Sequence, residues 1–100
     1  MLNQAVLVGR VSNLPELKKE NNKRILEVTI SVSRNYKNEN GEYDTDFLKC
    51  YLYNEIAENT KQYCNIGDMV GIKGRIQNIN NLTSIIAEKV TFLTSAKNTN

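Results

Sequence analysis

Between residues 25 and 34 apolar and polar side chains alternate without a break, and this period of two constrains the fold more than any other feature. Leu26, Val28, Ile30 and Val32 fall on one side, with Glu27, Thr29, Ser31 and Ser33 on the other. Successive side chains of an extended strand point to opposite faces, so the segment is a strand with one face in a core and one in water. The same period recurs at 6–11, at 46–54 and at 69–77. Leu48, Cys50 and Leu52 form the inward row of the third strand, and Val70, Ile72, Gly74 and Ile76 that of the fourth. Residues 83–93 supply a fifth. Gly9, Gly71 and Gly74 lie inside strands, where glycine marks the bulges and bends of a coiled, closed sheet.

Only residues 55–64 break the pattern. Ile56, Thr60 and Tyr63 recur at helical spacing, and Gly67 follows, which predicts a short helix. Five strands with a short helix between strands 3 and 4 predict an all-β OB-fold, a five-stranded Greek-key barrel. Residues 35–45 read as a long polar loop centred on the Asn40-Gly41 turn, and 78–82 as a tight hairpin turn. At 100 residues the chain supports one modest core. The expectation is therefore one domain over 1–94 and a flexible polar tail at 95–100.

Several function classes drop out. A content of 40% hydrophobic and 24% charged residues fits a folded domain. No apolar run approaches the ~20 residues that span a bilayer. The opening segment reads as a strand and not a signal peptide, so the cytoplasm, at the nucleoid, is the expected location. The chain has no His, and its two cysteines, Cys50 and Cys64, lie outside any Cys-x-x-Cys pair. No four-ligand zinc site can be assembled, and both read as small core residues of a reducing compartment. Glu42, Asp44 and Asp46 read as a solvated acidic loop and not a metal site. No Gly-x-Ser-x-Gly elbow or phosphate-cradling glycine loop occurs. The chain is expected to be no enzyme and to need no cofactor.

The outward row of the third strand points elsewhere. Phe47, Lys49, Tyr51 and Tyr53 share one parity, so three aromatics and a cation line the side that should be wet. Apolar surface of that kind marks binding faces. Every nucleic-acid base offers a π-face, and single-strand grooves combine aromatic platforms with cations that follow the backbone. Packing of one ring, above all Tyr51, under a loop or another subunit is the competing explanation. Arg34-Asn35-Tyr36-Lys37 sets an aromatic between two cations at the end of the second strand. Lys73 and Arg75 on the fourth strand extend the charge, and Arg10 adds to it. The distribution of charge agrees: residues 1–34 carry six Lys/Arg against three acids, 35–68 three against seven, and 69–100 four against one. Basic ends around an acidic middle suit a polyanion held along particular strands.

Ordered blocks of sequence carry a resemblance. Leu2-Asn3-Gln4-Ala5-Val6-Leu7-Val8-Gly9-Arg10-Val11, Pro15-Glu16-Leu17, Ser33-Arg34, Gly41-Glu42, Asp46-Phe47, Ala57-Glu58-Asn59 and Gly71-Ile72-Lys73-Gly74-Arg75-Ile76-Gln77 resemble successive blocks of the bacterial single-stranded DNA-binding protein family. The resemblance covers roughly residues 2–93. It implies that Tyr36, Phe47 and Tyr53 occupy the family's base-stacking positions. It also implies a homotetramer, with a dimer as the alternative, in which the first strand contributes to pairing. Two departures stand out. The family's long hairpin after the fourth strand, with its further stacking ring, shrinks here to 78–82, with Asn81 nearest the ring's position. The family's acidic, Phe-ending tip, which recruits replication and repair enzymes, has no counterpart in Lys97-Asn98-Thr99-Asn100.

The expected function is sequence-tolerant binding and protection of single-stranded DNA in replication, recombination or repair, with no membrane involvement. The expected contacts are Arg10, Arg34, Tyr36, Lys37, Phe47, Lys49, Tyr51, Tyr53, Lys73 and Arg75. A dimeric primosome-type replication accessory protein, or an OB module that binds protein, are the alternatives.

Overall fold

A computed structural model describes residues 1–94; the tail expected at 95–100 lies outside the described residues. The elements run β1 (Ala5–Asn13), β2 (Lys18–Glu20), β3 (Lys23–Lys37), β4 (Tyr43–Tyr53), α1 (Asn54–Tyr63), β5 (Met69–Ile79) and β6 (Leu82–Thr94). All five long strands expected from the alternation are present, and the helix follows the third of them. β2 was not expected. It forms a small hairpin with β3 through Asn21 and Asn22, both at positive φ, a backbone state that short polar Asn tolerates in a two-residue turn.

The strands follow the order β1-β5-β6-β4-β3-β2, and a further β1–β3 pairing closes the circuit. Neighbours are antiparallel except for a short parallel contact of Cys50 and Tyr51 with Ile85 and Ile86. The barrel interior holds the even rows that the period of two assigned to it: Leu26, Val28 and Ile30 from β3, and Cys50 and Leu52 from β4. Val70, Ile72, Val11, Ile85 and Ala87 complete it. Both cysteines are buried and free, and burial pushes the Cys50 thiol up to about 12.

Two glycines are dictated by close approach. A Cβ on Gly74 would lie 1.9 Å from the Ile86 carbonyl oxygen, and one on Gly9 would lie 2.4 Å from that of Ser31. Both sit where the sheet folds onto itself. Past a register shift at Lys73–Gly74 the inward row of β5 leaves the barrel. Ile76, expected to share the core row, is nearly half exposed.

Three further expectations need correction. The long loop at 35–45 is mostly strand: β3 runs to Lys37 and β4 starts at Tyr43, with a bulge between Ser33 and Lys37 on the β3 side. Only 38–42 turn. There Asn38 Oδ1 accepts the backbone N–H groups of Asn40 and Glu42 at 2.8 and 3.0 Å, a side-chain mimic of a turn. On α1 the inward residues are Ala57 and Thr60, followed by Cys64; Ile56 packs partly and Tyr63 faces solvent. Cys64 caps the helix, its N–H donating to the Thr60 carbonyl, so Gly67 belongs to the next loop. The hairpin at 78–82 is as tight as expected, with only Asn80 and Asn81 between β5 and β6, both at positive φ.

Candidate nucleic-acid interface

The outward row of β4 is held in register by β3. Phe47 pairs with Ser31, Lys49 with Thr29, Tyr51 with Glu27 and Tyr53 with Ile25. Side chains of paired residues stand on one face, so the row runs down one continuous surface, about 20 Å from Phe47 to Tyr53. At Tyr51 the surface widens: Tyr51 pairs with Ile86 of β6, and Ile86 with Arg75 of β5. Glu27, Tyr51, Ile86 and Arg75 thus form one row across four strands.

The four expected residues of β4 do not share one environment. Phe47 is 66% exposed and free to stack. Tyr53 is half-buried and forms the wall between two shallow depressions. One, about 400 Å³, is lined by Lys23, Asn54, Arg75, Gln77 and Ile86; the other, about 270 Å³, by Lys18, Glu27, Tyr51, Ile79 and Asn80. Tyr51 is only 9% exposed, so it packs into the surface instead of standing on it. Burial, and then the Glu27 carboxylate, push its phenol above the ordinary value. Tyr36 is exposed in the β3 bulge, on the same hairpin as Phe47.

The cations also divide. Arg34 is occupied by acids: Nε donates to Asp46 Oδ2 at 3.0 Å and Nη2 to Asp46 Oδ1 at 2.9 Å, with Asp44 at 3.6 Å. That hydrogen bond holds the Asp46 carboxyl below the usual carboxylate range. The three acids of the hairpin therefore do not act as one loop cluster; two of them answer Arg34. No group of His, Cys, Asp and Glu among the described residues could hold a metal ion. Lys49 lies 3.8 Å from Glu27, and Arg75 Nη1 donates to Glu88 at 3.2 Å. Arg10 pairs with Ser31, the partner of Phe47, and so stands in the row of Phe47; its Nη1 donates to the Gly67 carbonyl at 3.0 Å. Lys37 Nζ lies 5.9 Å from the Tyr43 ring centroid. Lys73 is exposed beside Val6 and Lys89, with no ion pair among the described residues.

Sequence reasoning missed Lys18, Lys23, Gln77 and Tyr43. The first two flank the Asn21-Asn22 turn, and the run Lys18-Lys19-Glu20-Asn21-Asn22-Lys23-Arg24 carried the signal: cations on both sides of a turn-forming pair. Tyr43 was hidden by reading 35–45 as loop, although it continues the odd parity of the β4 row.

Known proteins resemble this chain. Single-stranded DNA-binding protein B of Bacillus subtilis (strain 168) is 42% identical over 78 residues, 77% of this chain and 69% of that protein. Single-stranded DNA-binding protein 3 of Listeria innocua is 35% identical over 108 residues, 98% of this chain and 68% of its own length. Among solved structures, the wild-type single-stranded DNA binding protein from Thermus aquaticus superposes with a TM-score of 0.76 at 25% identity, covering 95% of this chain and 42% of that one. The small single-stranded DNA-binding protein from Streptomyces coelicolor gives 0.71 at 19% identity, over 92% and 94% of the two chains, a likeness of fold. Both share the OB barrel. No described helix is long and apolar enough to cross a membrane. The match to the single-strand binding protein family spans residues 2–93, from the segment that leads into β1 almost to the end of β6. With a family of binding proteins and not of enzymes matched over that whole barrel, this chain belongs to the single-strand binding protein family.

Proposed function

We propose that the protein binds and protects single-stranded DNA without regard to sequence, in the cytoplasm, during replication, recombination or repair. The observation that carries this is the outward row of β4, where Phe47 stands exposed and Tyr53 divides two depressions edged by Lys18, Lys23 and Arg75. Bases stack on the rings and phosphates meet the cations at the rims; neither contact reads a base edge, which is why binding tolerates any sequence. Phe47, Tyr53 and Tyr36 are the stacking residues. Lys37, Lys49, Lys73 and Arg75 supply charge, Arg34 joins them on release from Asp46, and Arg10, in the row of Ser31 and Phe47, adds to it. Titration with oligo-dT, followed by quenching of tyrosine emission at several salt concentrations, tests the reading beside duplex DNA and RNA. Saturable quenching that weakens linearly with log salt is expected, at about −0.7 per phosphate neutralised. Binding to duplex as tight as to oligo-dT, or none to either, would sink it.

We further propose that the chain assembles as a homo-oligomer through β1, a tetramer in the first instance. Ala5–Gly9 pair with β5 alone, because β3 meets β1 only from Arg10 onward. That leaves one strand edge open to a second copy. Val8 and Leu93, at 52% and 46% exposure, flank Gly71 on the adjoining surface, and Val6, at 71%, lines the same depression. Sedimentation of the protein and of Val8→Lys tests it: a parent that sediments as a monomer at micromolar concentration contradicts the assembly.

A further inference from the structure

The aromatic row of β4 does not end at Phe47. Tyr43, the first residue of the strand, has the same odd parity as Phe47, Lys49, Tyr51 and Tyr53. The register shift between Ser33 and Lys37 inserts its extra residues into β3 and none into β4, and Lys37 pairs directly with Tyr43 beyond it. The alternation of β4 therefore passes the bulge undisturbed and leaves Tyr43 on the face that carries Phe47. Its exposure, 57%, is close to the 66% of Phe47. The two rings are four residues apart, about 13 Å along the strand, with only Thr45 between them on that side. Lys37 Nζ stands 5.9 Å from the Tyr43 ring centroid.

We propose that Tyr43 is a further base-stacking residue, which carries the bound single strand from Phe47 out along the β3–β4 hairpin, with Lys37 meeting the adjoining phosphate. This rests on reading the β4 face as the strand-binding surface. The charges of the hairpin agree with it. Asp44 and Asp46, which would repel a phosphate backbone, are both answered by Arg34, and Asp44 also accepts a hydrogen bond from Asn38 Nδ2 at 3.0 Å. Glu39 and Glu42 remain exposed at the tip, so the path stops at Tyr43 and does not continue around the turn. At the other end the two-residue Asn80-Asn81 turn gives β5 and β6 no comparable aromatic extension.

The chain contains no tryptophan, so Tyr43→Trp introduces a single selective reporter at an exposed position. Its emission is expected to be quenched by oligo-dT in proportion to occupancy. Tyr43→Ala is expected to weaken oligo-dT binding by about 5-fold or more, the lower end of one base–aromatic stack. Its salt slope should match the parent, because no charge is lost. Tryptophan emission unchanged at saturating oligo-dT, or Tyr43→Ala binding as tightly as the parent, overturns the proposal. Phe47→Ala measured alongside separates the two levels. If it loses affinity while Tyr43→Ala does not, Tyr43 alone is wrong; if neither loses affinity, the reading of the whole face fails.

Discussion

The Arg34 guanidinium grips Asp46 through two parallel hydrogen bonds of 3.0 and 2.9 Å, across the two strands of the hairpin that carries Tyr36 and Phe47. A planar fork matched to a carboxylate is the strong form of an ion pair, and a phosphate bidding for Arg34 has to displace it. Asp46→Asn removes the competitor. Oligo-dT affinity is expected to rise by up to about 5-fold, the scale of one exposed charge contact, and a second change, Arg34→Ala, to abolish the gain. Equal affinity of Asp46→Asn and parent would mean that Arg34 only braces the hairpin. The pair also has a pH signature. The carboxyl of Asp46 is held below its ordinary value of 3.8, so its contribution to the fold is present above that value and lost as pH falls through the lowered one. Carboxyl chemical shifts followed into acid should show Asp46 titrating below its ordinary value.

Stacking and packing separate along the single row of β4. Tyr36→Ala, Phe47→Ala and Tyr53→Ala are each expected to cost about 1–3 kcal/mol of oligo-dT binding, with urea midpoints unchanged for exposed Tyr36 and Phe47. Tyr51→Ala is expected to behave differently. At 9% exposure the ring is part of the packed surface, and its removal costs about 3–5 kcal/mol of stability by analogy with other buried aromatics. Paired binding and urea titrations decide it. A Tyr51→Ala protein of parental stability would mean that the ring is held as a free platform after all.

Cations that already have partners contribute less to phosphate binding than cations that do not. Lys73→Ala is therefore expected to flatten the plot of log affinity against log salt by up to about 0.7. Arg75→Ala should flatten it less, because Glu88 shares the guanidinium at 3.2 Å. The reverse order would mean that Glu88 yields the Arg75 guanidinium to the strand at little cost.

Glycine at 74 is a requirement of the barrel, and glycine at 71 is not. A Cβ at 74 would meet the Ile86 carbonyl oxygen at 1.9 Å, whereas at 71 the nearest atom is 3.8 Å away. Gly74→Ala forces β5 and β6 apart and is expected to destabilise the fold by about 1–3 kcal/mol, the range for overpacking. Gly71→Ala should lie within about 0.5 kcal/mol of the parent. Denaturant unfolding of the two variants makes the comparison, and equal stabilities would contradict the close approach of the two strands.

The inside and the outside of each strand were legible in the sequence because the alternation of side chains is a local property of extended backbone. Parity alone therefore puts Leu26, Val28, Ile30, Cys50 and Leu52 in the core and Phe47 and Tyr53 on the opposite face. The Asn80-Asn81 turn was equally local, since a left-handed pair is written in its own two residues. What the alternation could not assign was who stands next to whom. Tyr51 has the same parity as Phe47, yet it is buried because β6 returns parallel to β4 and lays Ile86 beside it. Arg34 reads as a free cation until the hairpin register sets Asp46 opposite Val32, within diagonal reach of the guanidinium. Tyr43 was concealed because a polar, Gly-containing segment looks like a loop, and only pairing with Lys37 keeps it in the strand. Parity belongs to one strand, whereas burial, charge pairing and the reach of the aromatic row depend on contacts between residues far apart in the chain. Those are decided when the sheet closes.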